Sequence, residues 1–118
     1  MGLLKNIIKA AAGYKEIEFK VAGVTFKNGK ESRQKLIRAI KWHDAPYRGD
    51  VRITFERYEY EGQLAIGVYA NDHQLGNVPK EYIEDFDKKW TGKYLIEKYE
   101  VLGNEEPFGF LVKVLFDK

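Results

Sequence analysis

The chain has 118 residues, 20 Lys+Arg against 18 Asp+Glu, and no cysteine. It fits one domain large enough to bury its own core, and it excludes disulfides, thiolate metal sites and a cysteine nucleophile. The net charge of +2 is too small to name a polyanionic partner, but it is unevenly spread: residues 1–60 hold 13 basic and 7 acidic residues, whereas residues 61–118 hold 7 and 11. Asymmetry of this kind points to an anionic ligand on the basic side, unless folding mixes the two halves over the surface.

In chain order, residues 1–14 come first. Leu3, Leu4, Ile7, Ile8, Ala11 and Ala12 share a helical face and Gly13 ends it. Lys5 and Lys9 interrupt the apolar runs. The segment is therefore far from the ~20 apolar residues of a membrane span and lacks the unbroken core of a signal peptide. The spacing predicts an N-terminal amphipathic helix that packs on the domain or on a second copy, a route to a homo-oligomer. With no membrane partner indicated, the expected location is cytoplasmic.

Residues 15–118 form the main domain. Ile17, Phe19 and Val21 alternate with polar residues, as in a half-buried strand. The parity slips at Gly23, so Val24 and Phe26 read as its continuation beyond a β-bulge. Lys27–Lys30 is a turn. Residues 32–42 read as a helix, with Ser32 as N-cap, Leu36, Ile37 and Ile40 inward, and Arg33, Lys35, Arg38 and Lys41 in solvent. After a loop, Val51, Ile53 and Phe55 alternate, and Tyr58 and Tyr60 follow on the other parity, which predicts a bulge near Arg57. Glu61-Gly62 and Asn71-Asp72 read as turns around strands at 64–68 and 73–78. Pro79 opens a helix at its first position, with Tyr82, Ile83, Phe86 and Trp90 on one face. Strands at 94–102 and 108–116 close the chain. About six strands, the N-terminal helix and two further helices make a mainly β, α+β domain: a small, OB-like, partly open β-barrel.

Catalytic patterns are absent. His43 and His73 lie in unrelated turns and suggest no metal site. Ser32 suits a helix cap better than a nucleophile. Glu84/Asp85 and Glu105/Glu106 read as solvated charge, and no glycine-rich phosphate loop occurs. The expectation is no enzyme, no metal and no cofactor. Binding fits better. Lys27, Lys30, Arg33, Lys35, Arg38, Lys41, Arg48, Arg52 and Arg57 are interleaved with Phe26, Trp42, Tyr47, Phe55, Tyr58 and Tyr60. Basic groups neutralise phosphates and aromatic faces stack on unpaired bases.

Five blocks carry a resemblance: Val21-Ala-Gly-Val-Thr-Phe26, Arg33-Gln34, Phe55-Glu-Arg57, Leu64-Ala-Ile-Gly-Val68 and Gln74-Leu-Gly-Asn-Val-Pro79. In order and spacing across residues 17–116 the chain resembles the HIRAN domain, and within it the stand-alone bacterial versions. The resemblance implies an OB-like barrel that recognises single-stranded DNA or DNA ends during repair or replication. It implies a pocket at Thr25 and Phe26, a strand arginine at Arg57, and a far wall from Phe110. Two departures stand out. Thr25 occupies a position that is basic in a DNA-end-reading member, and the loop expected to read Asn-Pro-Tyr-Asp is Glu59-Tyr-Glu-Gly62. Tyr60 would replace the loop tyrosine, and Glu61 the aspartate that holds a terminal sugar hydroxyl. The combined expectation is a nucleic-acid-binding module. Bases stack on Phe26, Tyr58 or Tyr60, and phosphates lie on Lys27, Lys30, Arg33 and Arg57. Thr25, Glu61 and Phe110 complete the pocket. The alternative is a protein-interaction or self-association module on the same barrel, motivated by the altered loop.

Overall fold

The computed structural model describes residues 15–117, so the helix expected over 1–14 lies outside the described residues. Strand β1 (Lys15–Lys20) buries Ile17 and Phe19 and leaves its charged residues outside. It pairs antiparallel with β8 (Gly109–Phe116), whose other edge takes β7 (Tyr94–Leu102). A second antiparallel sheet runs in sequence order through β4 (Ile53–Tyr60), β5 (Gln63–Ala70) and β6 (His73–Asn77). A short ribbon of β2 (Lys27–Asn28) and β3 (Glu31–Ser32) leads into helix α1 (Arg33–Trp42). Helix α2 (Lys80–Lys89) connects the second sheet to β7. The described chain is thus mainly antiparallel β with two helices.

The local chemistry explains most of these boundaries. Glu61 and Gly62 both have positive φ, at 52° and 78°, and so do Asn71 and Asp72, at 48° and 72°. These are the two-residue hairpins whose twist matches that of the flanking strands. Ser32 Oγ accepts from the Lys35 N–H at 3.2 Å and caps α1. Pro79 stands at the N-cap of α2 and not inside its first turn. Its carbonyl accepts from the Tyr82 N–H at 2.9 Å.

Two expected bulges are corrected. Gly23 has φ 73°, and the Phe26 N–H donates to the Gly23 carbonyl at 3.2 Å. Residues 23–26 are therefore a tight turn, and Val24 and Phe26 do not extend β1. Near Arg57, β4 pairs with β5 without a slip, from Ile53 opposite Ala70 to Tyr60 opposite Gln63. Tyr58 and Tyr60 simply use the second face of an unbroken strand, because side chains alternate. The register shifts lie elsewhere, between Val68 and Tyr69 and between Ile96 and Lys98.

The core gathers aromatic rings from both sheets and α2. Phe86 is fully buried, and its ring lies 4.9 Å from those of Phe55 and Phe116, edge to face in both cases. Trp90 and Tyr94 pack at the margin, and the Phe55 N–H donates to the Tyr94 hydroxyl at 3.3 Å. The two sheets meet at one antiparallel bridge, Ala22 to Asn77, with hydrogen bonds of 2.8 Å in both directions.

Burial raises the pKa of Tyr47, of Tyr69 (helped by Glu56) and of Tyr94 above the ordinary 10.0. A hydrogen bond to Glu97 raises that of Lys113 above 10.5. Groups with raised folded-state pKa values hold their protons more tightly when folded. Their stabilisation is complete below the unfolded pKa and is lost as pH rises through the folded one. Urea unfolding should therefore give a flat midpoint around neutrality and a steep fall above about pH 10. A midpoint unchanged through that range would contradict these placements.

Candidate nucleic-acid interface

A groove of about 830 Å³ opens between the β4–β5 hairpin, the turn at 22–26 and the start of α2, inside the ~300–1,000 Å³ range of ligand sites. The topology creates it. β6 pairs with β5 only from Gly67 onward. After the Val78 N–H bonds to the Ile66 carbonyl at 2.9 Å, Pro79 turns the chain away into α2. The β5 edge at Gln63–Ala65 is left facing the groove. Phe26 and Tyr60, 68 % and 62 % exposed, are its aromatic walls, and Leu64 and Ile83 add apolar surface.

The wall carrying Phe26 is rigidly built. Arg33 is buried beneath it, with Nη1 donating to the Gly23 carbonyl at 2.9 Å and Nε to Asn28 Oδ1 at 2.8 Å. Asn28 is held in turn through Nδ2 by the Gln74 carbonyl at 2.7 Å. A Cβ at Gly23 would crowd Arg33 Nη1 at 3.1 Å and the Phe26 ring at 3.3 Å, so glycine is needed for the close approach as well as for its positive φ. Gln34 donates to the carbonyls of Val24 and Phe108 and accepts from the Phe108 N–H. It anchors the same turn to the start of β8 with every polar atom used. Desolvation lowers the Arg33 pKa, with the Tyr58 and Tyr69 phenols opposing the shift. On the opposite wall, Asn77 Nδ2 donates to the Tyr58 hydroxyl.

The groove is mixed in charge. Arg33 and Lys80 line it, but so do Glu61, Glu84 and Asp87. A continuous run of phosphates would meet more carboxylate than cation. A carboxylate can instead accept from a hydroxyl. Among the described residues, no group of three or more His, Asp or Glu converges as a metal site, and no helix is long and apolar enough to cross a membrane.

Of the ten residues expected at the site, Phe26, Arg33, Tyr58, Tyr60 and Glu61 line this one groove. Arg33, expected in solvent, is buried, because its position shares a helix face with Leu36, Ile37 and Ile40. Thr25, Lys27 and Lys30 are exposed but outside the lining. Phe110 is no far wall. It is completely buried and stacks on Tyr99 with centroids 5.8 Å apart, on the inward face it shares with Val112 and Val114. Arg57 has another task as well. It pairs with Asp87 at 2.7 Å, donates to the Trp90 carbonyl at 2.7 Å and lies over the Trp90 ring at 4.0 Å, clamping the end of α2 onto β4. Asn77, Lys80, Leu64 and Ile83 were not anticipated. Asn77 and Leu64 fall inside the Gln74–Pro79 and Leu64–Val68 blocks, which mark them by position alone.

Arg57→Ala should cost about 1–2 kcal/mol of stability, since an exposed ion pair is worth little but the carbonyl bond and the ring contact add to it. It should leave the salt dependence of nucleic-acid binding unchanged. A phosphate contact at Arg57 would instead lower the salt slope by ~0.7. Urea unfolding and a salt titration of the same variant separate the two roles.

No family model matches the chain, and no curated protein or solved structure matches it either.

Proposed function

We propose that the chain is a binding module, not an enzyme, and that the groove takes an end of single-stranded DNA in repair or replication. The observation that carries this reading is the pairing of two exposed aromatic walls, Phe26 and Tyr60, with both a guanidinium and a carboxylate, Arg33 and Glu61, in one groove. An unpaired base stacks between or against the rings. Arg33 and Lys80 balance a single phosphate. Glu61 accepts from a terminal sugar hydroxyl, a group that only a strand end presents. Interior segments bring more phosphate and meet Glu84 and Asp87.

The fold is consistent with an OB-like, partly open barrel. The sheets are joined on one side by the Ala22–Asn77 bridge. On the other side β4 and β7 are not paired, and a cavity of about 380 Å³ lined by Ile53, Ile96 and Tyr99 separates them. The five blocks that resemble the HIRAN domain add to this reading. An anisotropy titration with short labelled single strands at low ionic strength tests the function. Binding with a shallow salt slope, equivalent to about one or two phosphates, is expected. No binding by any single strand at low salt would overturn it.

A second reading is favoured by the open β5 edge and the three carboxylates. An extended peptide would add to Gln63–Ala65 as a further strand, making the domain a protein-interaction module. Its affinity would be independent of nucleic-acid competitors.

A further inference from the structure

We propose that the solvent-facing side of α1 is a second nucleic-acid contact, one that holds the phosphate backbone of a strand independently of the groove. At about 100° per residue, Lys35, Arg38 and Trp42 fall on one narrow face of α1, directly opposite Arg33. All three are exposed, Trp42 by 57 %. Lys41 flanks them, with its Nζ 5.5 Å from the centre of the Trp42 ring.

Four features set this face apart. The helix carries Arg33, Lys35, Arg38 and Lys41 and not one acidic residue. Among the described residues none of Lys35, Arg38 and Lys41 takes part in a salt bridge. By contrast, α2 pairs Lys88 with Glu84 and Lys89 with Asp85. Residues three apart are neighbours on a helix, so Lys35, Arg38 and Lys41 repel one another. Lys35 also lies in the first turn, against the helix dipole. An arrangement that works against its own helix in two ways is relieved by an external polyanion.

The chemistry favours nucleic acid over an anionic lipid surface. Leu36, Ile37 and Ile40 are all buried in the core, so α1 has no apolar face to insert among acyl chains. The stripe from Lys35 to Trp42 is about 10 Å long, enough to follow a short stretch of one strand's phosphate backbone. Trp42 at its end offers a plane for an unpaired base. The choice of nucleic acid as the partner rests on the groove reading, but the contact itself does not.

The test uses the whole chain with Lys35→Gln, Arg38→Gln and Lys41→Gln combined. Gln matches Lys and Arg in helix propensity, and relief of the like-charge repulsion adds a few tenths of a kcal/mol, so the urea midpoint should stay level or rise slightly and not fall. Two probes are titrated: a dinucleotide that fills only the groove, and a single strand of about 16 nucleotides, the upper end of single-strand site sizes. The triple variant should weaken the long strand about tenfold at low salt and lower its salt slope by about 2. The dinucleotide should be unaffected. Trp42→Ala, which alters no charge, should weaken the long strand without changing the slope.

An unchanged affinity and slope for the long strand would overturn the proposal. So would loss of binding to phosphatidylserine vesicles with DNA binding intact, or equal loss of the dinucleotide. If wild type ignores the dinucleotide yet the long strand still depends on the stripe, the groove reading falls and this one stands.

Discussion

Gly76→Ala is expected to destabilise the chain by about 2–4 kcal/mol, because overpacking and broken hydrogen bonds add. A Cβ at Gly76 would stand 2.5 Å from Val21 Cγ1 and closer still to the Ala22 carbonyl oxygen. The second of these is backbone and has no rotamer to escape into. Relief requires Ala22 to retreat from β6, which breaks the reciprocal 2.8 Å bonds between Ala22 and Asn77. Among the described residues those bonds form the bridge between the sheets. The same shift displaces Asn77 and Gly23, both of which line the groove. Urea unfolding at neutral pH measures the effect, and a loss below about 0.5 kcal/mol, the scatter of neutral surface changes, would contradict this role of the close approach.

Phe26→Ala and Tyr60→Ala carry the largest expected effect on binding. Each removes a ring that is more than 60 % exposed and contributes little to the core. Stability should therefore stay within about 0.5 kcal/mol of wild type. Base stacking is worth ~1–3 kcal/mol per base by alanine substitution, so each variant should weaken a short single strand by roughly 5- to 150-fold. Phe26→Tyr, which keeps the ring, should bind nearly as well. Equal affinity of wild type and the double alanine variant would remove the groove from consideration as a stacking site. A large stability loss without a binding loss would make both rings structural.

Much of the fold is legible in residue patterns. The alternation in 94–102 and 108–116 places β7 and β8 to within a residue, and the turn pairs Glu61-Gly62 and Asn71-Asp72 mark both hairpins. Ser32 announces α1. What failed has specific causes. A parity change reads as a bulge at Gly23 and again near Arg57. The first is a turn forced by a left-handed glycine, and the second is a strand end exposed on both faces. Arg57 is clamped by Asp87, 30 residues away, and no local pattern shows that partner. The spacing of Arg33 from Leu36, Ile37 and Ile40 already puts it on the inner helix face. Phe110 likewise alternates in step with Val112 and Val114. In both cases periodicity favours burial, and it prevailed.

The site is legible in part for a related reason. Phe26, Tyr60 and Glu61 belong to a turn and a hairpin tip that sequence can locate. Lys80, Ile83, Glu84 and Asp87 arrive with α2, whose docking over the β5 edge is a tertiary outcome. Those residues supply the carboxylates that turn a generic basic site into one of mixed charge. Under the proposed function they would also narrow the ligand from single strands in general to strand ends.

That narrowing is the central claim, and a comparison of linear with circular single-stranded DNA of one sequence tests it most directly. Both present the same bases and differ by a single phosphate, but only the linear form has termini. Measured with the Lys35→Gln, Arg38→Gln, Lys41→Gln variant, so that the groove alone contributes, the linear strand should bind at least about tenfold more tightly, the loss expected when a site built for a hydroxyl meets none. A terminal phosphate on the recognised end should abolish that advantage, because it sets a dianion against Glu61. Equal affinity for the linear and circular forms would contradict the account.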